Sequence, residues 1–327
     1  MSMTIKFWGV RGLLPVSPTP QGMFNDFRTL FYNFFSQGYS QLKDIDIFLG
    51  QQKLTDVGGY GSCSTCVEIK DKKTQLIIDA GSGIKRLGDQ IMKAGIAGKG
   101  QGTYHILLTH FHADQLLGLP FFTPIFIPGN EIHFYAVQKD LSEAIKFLFK
   151  RPYFPVEFSM LPSKIYFHQL QPRENFLIDN FQITPFQLDH VDPCWGFKIT
   201  HSNKSYAHCS NTESARCNQI DLGLDLPLYH NIDLMYYDAQ YHHLKLNNEK
   251  QGSHSTSRIG LDLAMKMSIK RVLFGHHDPD STTEGLQNFE KETQRYYISK
   301  LEASLSNQQT QQPVQWSFVY EEQTIEL

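Results

Sequence analysis

The sequence predicts an α/β (α+β) protein in which two mixed β-sheets are flanked by helices, folded as one domain over residues 1–327. Three observations carry this. Short apolar runs that end at Gly, Asp or turn residues recur along the chain, as strands do. Segments with helical periodicity stand between those runs rather than in a block of their own. No internal repeat and no low-complexity linker divides the chain.

Residues 5–9 are an apolar run ending in glycine and read as the first strand. Residues 17–56 follow, with Pro18, Pro20 and an aromatic-rich stretch from 24 to 35. They read as an insertion, helical at its centre, that packs over another part of the protein. Residues 65–70, the turn Asp71-Lys72-Lys73 and residues 75–79 make a hairpin. Ala80-Gly81-Ser82-Gly83 breaks that strand, and 84–93 has helical spacing. A Gly/Lys-rich loop, 94–102, leads into a strand over 104–108. Further strands are expected near 131–136, 165–167, 181–188, 195–200 and 232–238, with a helix near 139–149. Ser255-Thr256 is placed to cap a helix from 257 to about 267. A strand over 271–274, a long helix over 283–305 and a last strand over 314–320 complete the chain.

Hydrophobic residues at 41% and charged ones at 19% suit a globular protein with a substantial core. The formal charge of −3 is spread along the chain, so no dedicated nucleic-acid or membrane face is evident. No run of 18 apolar residues occurs, and the first ten residues read as polar residues entering a strand rather than as a signal peptide. A cytoplasmic location is the expectation. Five cysteines, an odd number, fit reduced thiols. Histidine is the unusual count, at 14.

The segment Leu107-Leu-Thr-His110-Phe-His112-Ala-Asp114-Gln115 is the most informative. Two histidines two apart at a strand end, with an aspartate two further on, can turn nitrogen and oxygen donors into one cleft. Zn²⁺ and similar ions take neutral imidazole and carboxylate, and a hydrolase leaves one position open for water. This segment resembles the metallo-β-lactamase superfamily pattern Thr-His-x-His-x-Asp-His. Other motifs agree in order: Phe7-Trp8-Gly9-Val10-Arg11-Gly12, Tyr60-Gly61-Ser62-Cys63-Ser64-Thr65-Cys66, Ile78-Asp79-Ala80-Gly81-Ser82-Gly83, Leu188-Asp189-His190 and Phe274-Gly275-His276-His277-Asp278-Pro279. The resemblance runs from about residue 5 to 280, interrupted by 17–56. It implies a four-layer αβ/βα sandwich, with His110, His112 and His190 as a first metal site and Asp114 and His276 in a second.

Two further pieces resemble the tRNase Z-like and cyclic-nucleotide phosphodiesterase branches. They are Tyr237-Asp238-Ala239-Gln240-Tyr241 and Gly252-Ser253-His254-Ser255-Thr256. There the resemblance implies that Asp238 and His254 assist proton transfer to the leaving oxygen, as an imidazolium steadied by a carboxylate can. The alternative is that Asp238 ends a strand and His254 caps a helix. Where the superfamily has a histidine after the aspartate, this chain has Gln115; where it has a metal-bridging aspartate, the segment Tyr206-Ala-His208-Cys209-Ser-Asn211 offers Asn211. Two ions about 3.5–4 Å apart need anionic ligands between them, and an amide supplies far less compensation. The expectation is one firmly bound Zn²⁺, with the second site weak or empty and Mn²⁺ as another candidate ion.

His208 and Cys209 are replacement ligands if the strand register slips, and strand residues pointing elsewhere if it does not. Cys63-Ser-Thr-Cys66 has redox spacing but no second cysteine pair, and the motif match explains its place. Phe121, Phe122, Phe126, Tyr153 and Phe154 either line a substrate cleft or pack. Arg11, Arg86 and Arg151 are candidates to meet a phosphate. His105, His133, His168, His201, His230, His242 and His243 read as surface or packing residues, and His277 and Asp278 as support near His276. The function implied is hydrolysis of a small nucleotide-type phosphodiester by a metal-bound hydroxide. The chain lacks the long Gly-rich arm of tRNase Z, which weighs against a large RNA substrate. A carboxylic ester or lactone hydrolase, and a catalytically weakened binding or sensor protein, are the alternatives. A homodimer through 17–56 and the 283–305 helix is also open.

Overall fold

The computed structural model describes residues 2–241, 254–306 and 313–327. One seven-stranded sheet holds β1 (Thr4–Gly9), β2 (Cys66–Lys70), β3 (Gln75–Ile78), β4 (Thr103–Leu107), β5 (Glu131–Ala136), β6 (Lys164–Gln169) and β14 (Thr324–Glu326), in spatial order β14-β1-β2-β3-β4-β5-β6. The other holds β7 (Phe176–Ile178), β8 (Phe181–Gln187), β9 (Trp195–His201), β10 (Lys204–Cys209), β11 (Leu234–Asp238), β12 (Arg271–Gly275) and β13 (Gln315–Phe318), in order β13-β12-β11-β10-β9-β8-β7. Both are mixed.

Alternation along the strands makes the layers. Ile5, Phe7, Leu107, Leu234, Tyr236 and Leu273 point between the sheets into one core. Their neighbours Trp8, Ile106 and Leu108 face outward to helix Gly83–Lys93, which buries Ile84, Leu87 and Ile91. On the far side Met235, Tyr237, Val272 and Phe274 meet Leu261, Ala264, Leu286 and Phe289 of helices Ser257–Met267 and Thr283–Ser306. A strand with both faces buried reads as an apolar run, which is why these were visible in the sequence. The architecture is the four-layer sandwich of the metallo-β-lactamase fold.

The structure adds three strands to the expected ranges: β10, implied only by the motif around His208, and the short β7 and β14. β7 and β14 are three residues each, too short to show a period, and they exist because β8 and β1 offer them an edge. The insertion is helical through most of its length rather than at its centre alone: Pro20–Ser36, Ile45–Gln51 and Leu54–Gly58. Phe34 and Phe48 pack edge to face inside it. It meets the Thr283–Ser306 helix through polar pairs, Thr283 to Asp26 at 3.2 Å and Gln287 to Asp56 at 2.9 Å. Met23, Phe24, Phe27 and Phe31 stay exposed. Among the described residues, no helix is long and apolar enough to cross a membrane.

The hairpin turn is pinned across the two sheets. Asp71 Oδ1 accepts the N–H groups of Lys73 and Thr74 at 2.8 Å each, while Oδ2 lies 3.3 Å from Asn180 Nδ2 and 3.2 Å from His201 Nε2. Burial alone would push this carboxyl up, but those bonds hold it at about 2. A depressed carboxylate stabilises the fold above the ordinary carboxylate range, and the contribution vanishes as pH falls from about 4 toward 2. Asp71→Asn is therefore expected to lower unfolding stability by about 1–2 kcal/mol at pH 7, after allowance for solvent screening. Denaturant titrations at pH 7 and at about pH 2.5 check this; the gap should shrink at the lower pH, and an equal gap at both rules out the charge.

Candidate metal centre

Strand direction gathers the site. β3 runs parallel to β4, β10 to β11 and β12, and β8 points the same way as β10 because β9 is antiparallel to both. Asp79 follows β3, His110 follows β4, His190 follows β8, Asn211 follows β10, Asp238 ends β11 and His276 follows β12. The carboxyl ends of these strands meet in one crevice, the usual place for ligands in such sheets. Leu13, Asp79, Asn211 and His276 all have positive φ, 53° to 60°. Strained backbone of this kind concentrates where a site is held in shape. Gly81 sits where a Cβ would lie 2.5 Å from the carbonyls of Asp114 and Thr65, so only glycine lets these loops close.

His110, His112 and His190 bring one donor atom each within 4.8 Å of one another. The hydrogen bonds decide which nitrogen each presents. Thr109 donates to Asp79 from its backbone N–H at 2.9 Å and from Oγ1 at 3.0 Å. Its Oγ1 then accepts from His110 Nδ1 at 3.0 Å. That leaves His110 Nε2 as a bare lone pair, buried and without a protein partner. His112 Nε2 donates to Asp192 at 2.8 Å, so its Nδ1 turns inward, 3.5 Å from His190 Nε2. Burial, and then the neighbouring His112 and His190, hold His110 well below the usual imidazole range. Converging imidazole nitrogens fit a divalent ion of the zinc class, and a buried unpaired nitrogen is what such an ion would satisfy.

A second group, Asp238, His254 and His276, is wholly buried beside it. His254 Nδ1 bonds Asp238 Oδ2 at 2.8 Å, and the His190 and His254 rings lie 6.1 Å apart. Burial pushes His254 down, but attraction to Asp238 outweighs it and the net shift is upward. His276 Nδ1 donates to Gln240 Oε1 at 2.9 Å, so its Nε2 faces Asp114 Oδ2 at 3.4 Å. A Cβ on Gly12 would stand 2.5 Å from both Gln240 Oε1 and the His276 ring, which ties the loop after β1 to this corner. Gln115 is completely buried; its Nε2 donates to Asp114 Oδ2 at 2.7 Å and to Asn211 Oδ1 at 3.2 Å. All the residues singled out as ligands or proton donors are thus in or around one crevice.

Other candidates stand elsewhere. The β10 register does not slip: His208 bonds Tyr206 and Ser210 at 3.0 Å each, and Cys209 lies in the outer core. Neither replaces a ligand. Cys63 and Cys66 are thiols, as are the other three cysteines. Arg11 is held by the carbonyls of Gly61, Asp278 and Ser281, Arg86 by Glu321 and Arg151 by Glu157. Arg11 directs its donors at the protein, while Arg86 and Arg151 pair with carboxylates and stay about half exposed or more. Phe122 is core, while Phe121, Phe126 and Phe154 pack on one another or on Phe149, and Tyr153 lies against Phe147. His277 donates to the Val319 carbonyl, bracing the loop from behind instead of supporting the His276 ring. His105, His133 and His168 stack along β4 to β6, His201 meets Asp71, and His230 is exposed. His242, His243, Gly252 and Ser253 lie outside the described residues.

Sequence reading missed the partners that orient the ligands: the Asp79–Thr109 relay, Asp192 and Gln240. It also missed Arg216, which joins Asp189, beside His190, to the buried Asp225. Asp192 and Gln240 each sit two residues from a candidate site residue, a weak signal. Arg216 has no local signal, because its partners come from distant segments.

Fold and crevice together define a protein of two facing mixed sheets with a candidate metal centre at the strand ends. A family model described as Beta-lactamase superfamily domain matches residues 74–277, more than half of the chain, and the chain belongs to that superfamily. It is similar to a ribonuclease Z of Parabacteroides distasonis, 22% identical over 292 residues that cover 72% of this chain and 90% of the relative. Among solved structures, a diphosphatase from the PhnP family has a TM-score of 0.61 at 17% identity, covering 99% of this chain and 98% of that one. Human tRNase Z, short form, has a TM-score of 0.57 at 15% identity and covers 98% of each chain. At these identities the superpositions show the shared fold.

Proposed function

We propose that this protein is a metal-dependent phosphodiesterase acting on a small nucleotide-type phosphodiester. One observation carries the reading: three histidine rings bring donor nitrogens within 4.8 Å of one another beside a buried carboxylate–imidazole pair. A Zn²⁺ ion held by His110, His112 and His190 would supply Lewis acidity and a water acidified toward neutral pH. The protein's own groups do the rest. Asp192 and the Asp79–Thr109 relay fix the ring orientations. Asp238 engages His254 Nδ1, leaving Nε2 as the atom that hands a proton to the departing oxygen. The ribonuclease Z relative supports phosphorus chemistry over carboxylic esters or lactones. With a formal charge of −3 spread along the chain, a small diester suits the crevice better than a long RNA backbone.

The test is a substrate panel run with Zn²⁺ and with Mn²⁺: bis(p-nitrophenyl) phosphate, cyclic nucleotides, a 3′-extended RNA, carboxylic esters and lactones. Turnover of the small diesters is expected. Turnover confined to esters or lactones overturns the chemistry, and turnover confined to the RNA overturns the substrate size. A protein that binds a nucleotide without turning over anything is a sensor.

A further inference from the structure

Gln115 stands where the superfamily pattern places a histidine, and Asn211 where it places an aspartate bridging two ions. What the side chains do there goes beyond the loss of two ligands. One amide nitrogen reaches two oxygens, Asp114 Oδ2 at 2.7 Å and Asn211 Oδ1 at 3.2 Å. The orientation is dictated by charge: reversing the amide would set its oxygen 2.7 Å from a carboxylate oxygen, lone pair against lone pair. Gln115 Oε1 is left buried with no hydrogen-bond partner. The same Asp114 oxygen accepts the Leu13 N–H at 3.2 Å. Both donors point at the atom that a second cation would need. Asn211 turns its oxygen toward Gln115.

With neutral amides at 115 and 211, Asp114 and His276 are the strong ligands left there, too few to hold a second ion as firmly as the first. We infer that the Gln115 amide is a built-in surrogate for that second ion: its N–H groups supply the positive potential that Asp114 and Asn211 would otherwise take from a metal. The centre is then mononuclear by construction, not a two-ion centre with a weakened site. Asp114 is then a carboxylate held by the Gln115 amide and the Leu13 N–H. The inference rests on the three-histidine reading of the first site.

Metal counting on the full chain tests it. Wild-type protein, loaded with Zn²⁺ or Mn²⁺ and dialysed, should retain about one equivalent by elemental analysis. Gln115→His combined with Asn211→Asp should retain about two. Gln115→Glu keeps the size and shape of the side chain but exchanges the N–H donors for a second carboxylate. It should gain a second equivalent of Mn²⁺, a hard cation, and an additional Mn²⁺-dependent rise in melting temperature absent from wild type. Circular dichroism establishes that each variant is folded, and if the double variant is not, Gln115→Glu decides. Two equivalents in wild type, or folded variants that stay at one, overturn the surrogate role and leave the three-histidine site standing. No retained metal in wild type overturns the three-histidine reading itself, and the surrogate role falls with it.

Discussion

Replacing His110 with alanine is expected to lower phosphodiester turnover by about 10³-fold or more and to reduce retained metal to near zero. The size follows from the several kcal/mol that a bound ion contributes to transition-state stabilisation, at about 1.4 kcal/mol per factor of ten. The fold should survive. His110 Nε2 has no protein partner, so the substitution removes a lone pair the protein does not use, along with the Nδ1 contacts to Thr109 and Cys194. The melting temperature of metal-free protein should therefore change little, while the rise on adding Zn²⁺ disappears. Elemental analysis, turnover of bis(p-nitrophenyl) phosphate and thermal melts with and without Zn²⁺ measure all three. A variant that still holds metal and keeps wild-type turnover would remove His110 from the centre. Wild-type protein with nucleotide affinity but no turnover to lose would identify a sensor.

The second large effect concerns the leaving group. His254→Ala is expected to slow hydrolysis of a diester with an alkoxide leaving group by about 10²–10⁴-fold, the range for a lost general acid. The same variant should hydrolyse bis(p-nitrophenyl) phosphate at nearly the wild-type rate, because p-nitrophenolate departs without a proton. That contrast separates proton delivery from a structural role. His254 is buried, bonds Asp238 at 2.8 Å and stacks on His276 with ring centroids 4.9 Å apart. If its part were only to prop His276, both substrates would slow by the same factor. Equal losses on the two diesters would assign His254 to support rather than to proton transfer.

Much of the fold was legible because it is written in local pattern. Apolar runs mark strands buried on both faces, and the spacing of Ile84, Leu87 and Ile91 marks a helix over one of them. Thr256 caps the Ser257–Met267 helix by accepting from the Ile259 N–H, as its place before an apolar periodic run suggests. The insertion was harder to read. Its aromatic residues look like core in sequence, yet Phe34 and Phe48 are buried while Phe24, Phe27 and Phe31 are exposed. Pattern reports which residues share a face, not whether anything covers that face.

For the metal centre the division is sharper. The sequence by itself determined the strand-end cluster His110, His112 and Asp114, the later histidines, and the two amides at positions 115 and 211. These are matters of residue type and order. Only the tertiary structure decided which nitrogen each imidazole turns inward, since that depends on Thr109 and Asp79 behind His110 and on Asp192 behind His112. It also decided that Gln115 is a donor rather than an oxygen ligand. Asp114 is its neighbour in sequence, but Asn211 is 96 residues away. A tautomer or an amide orientation is set by the hydrogen bonds around it, and those partners come together only when both sheets have closed.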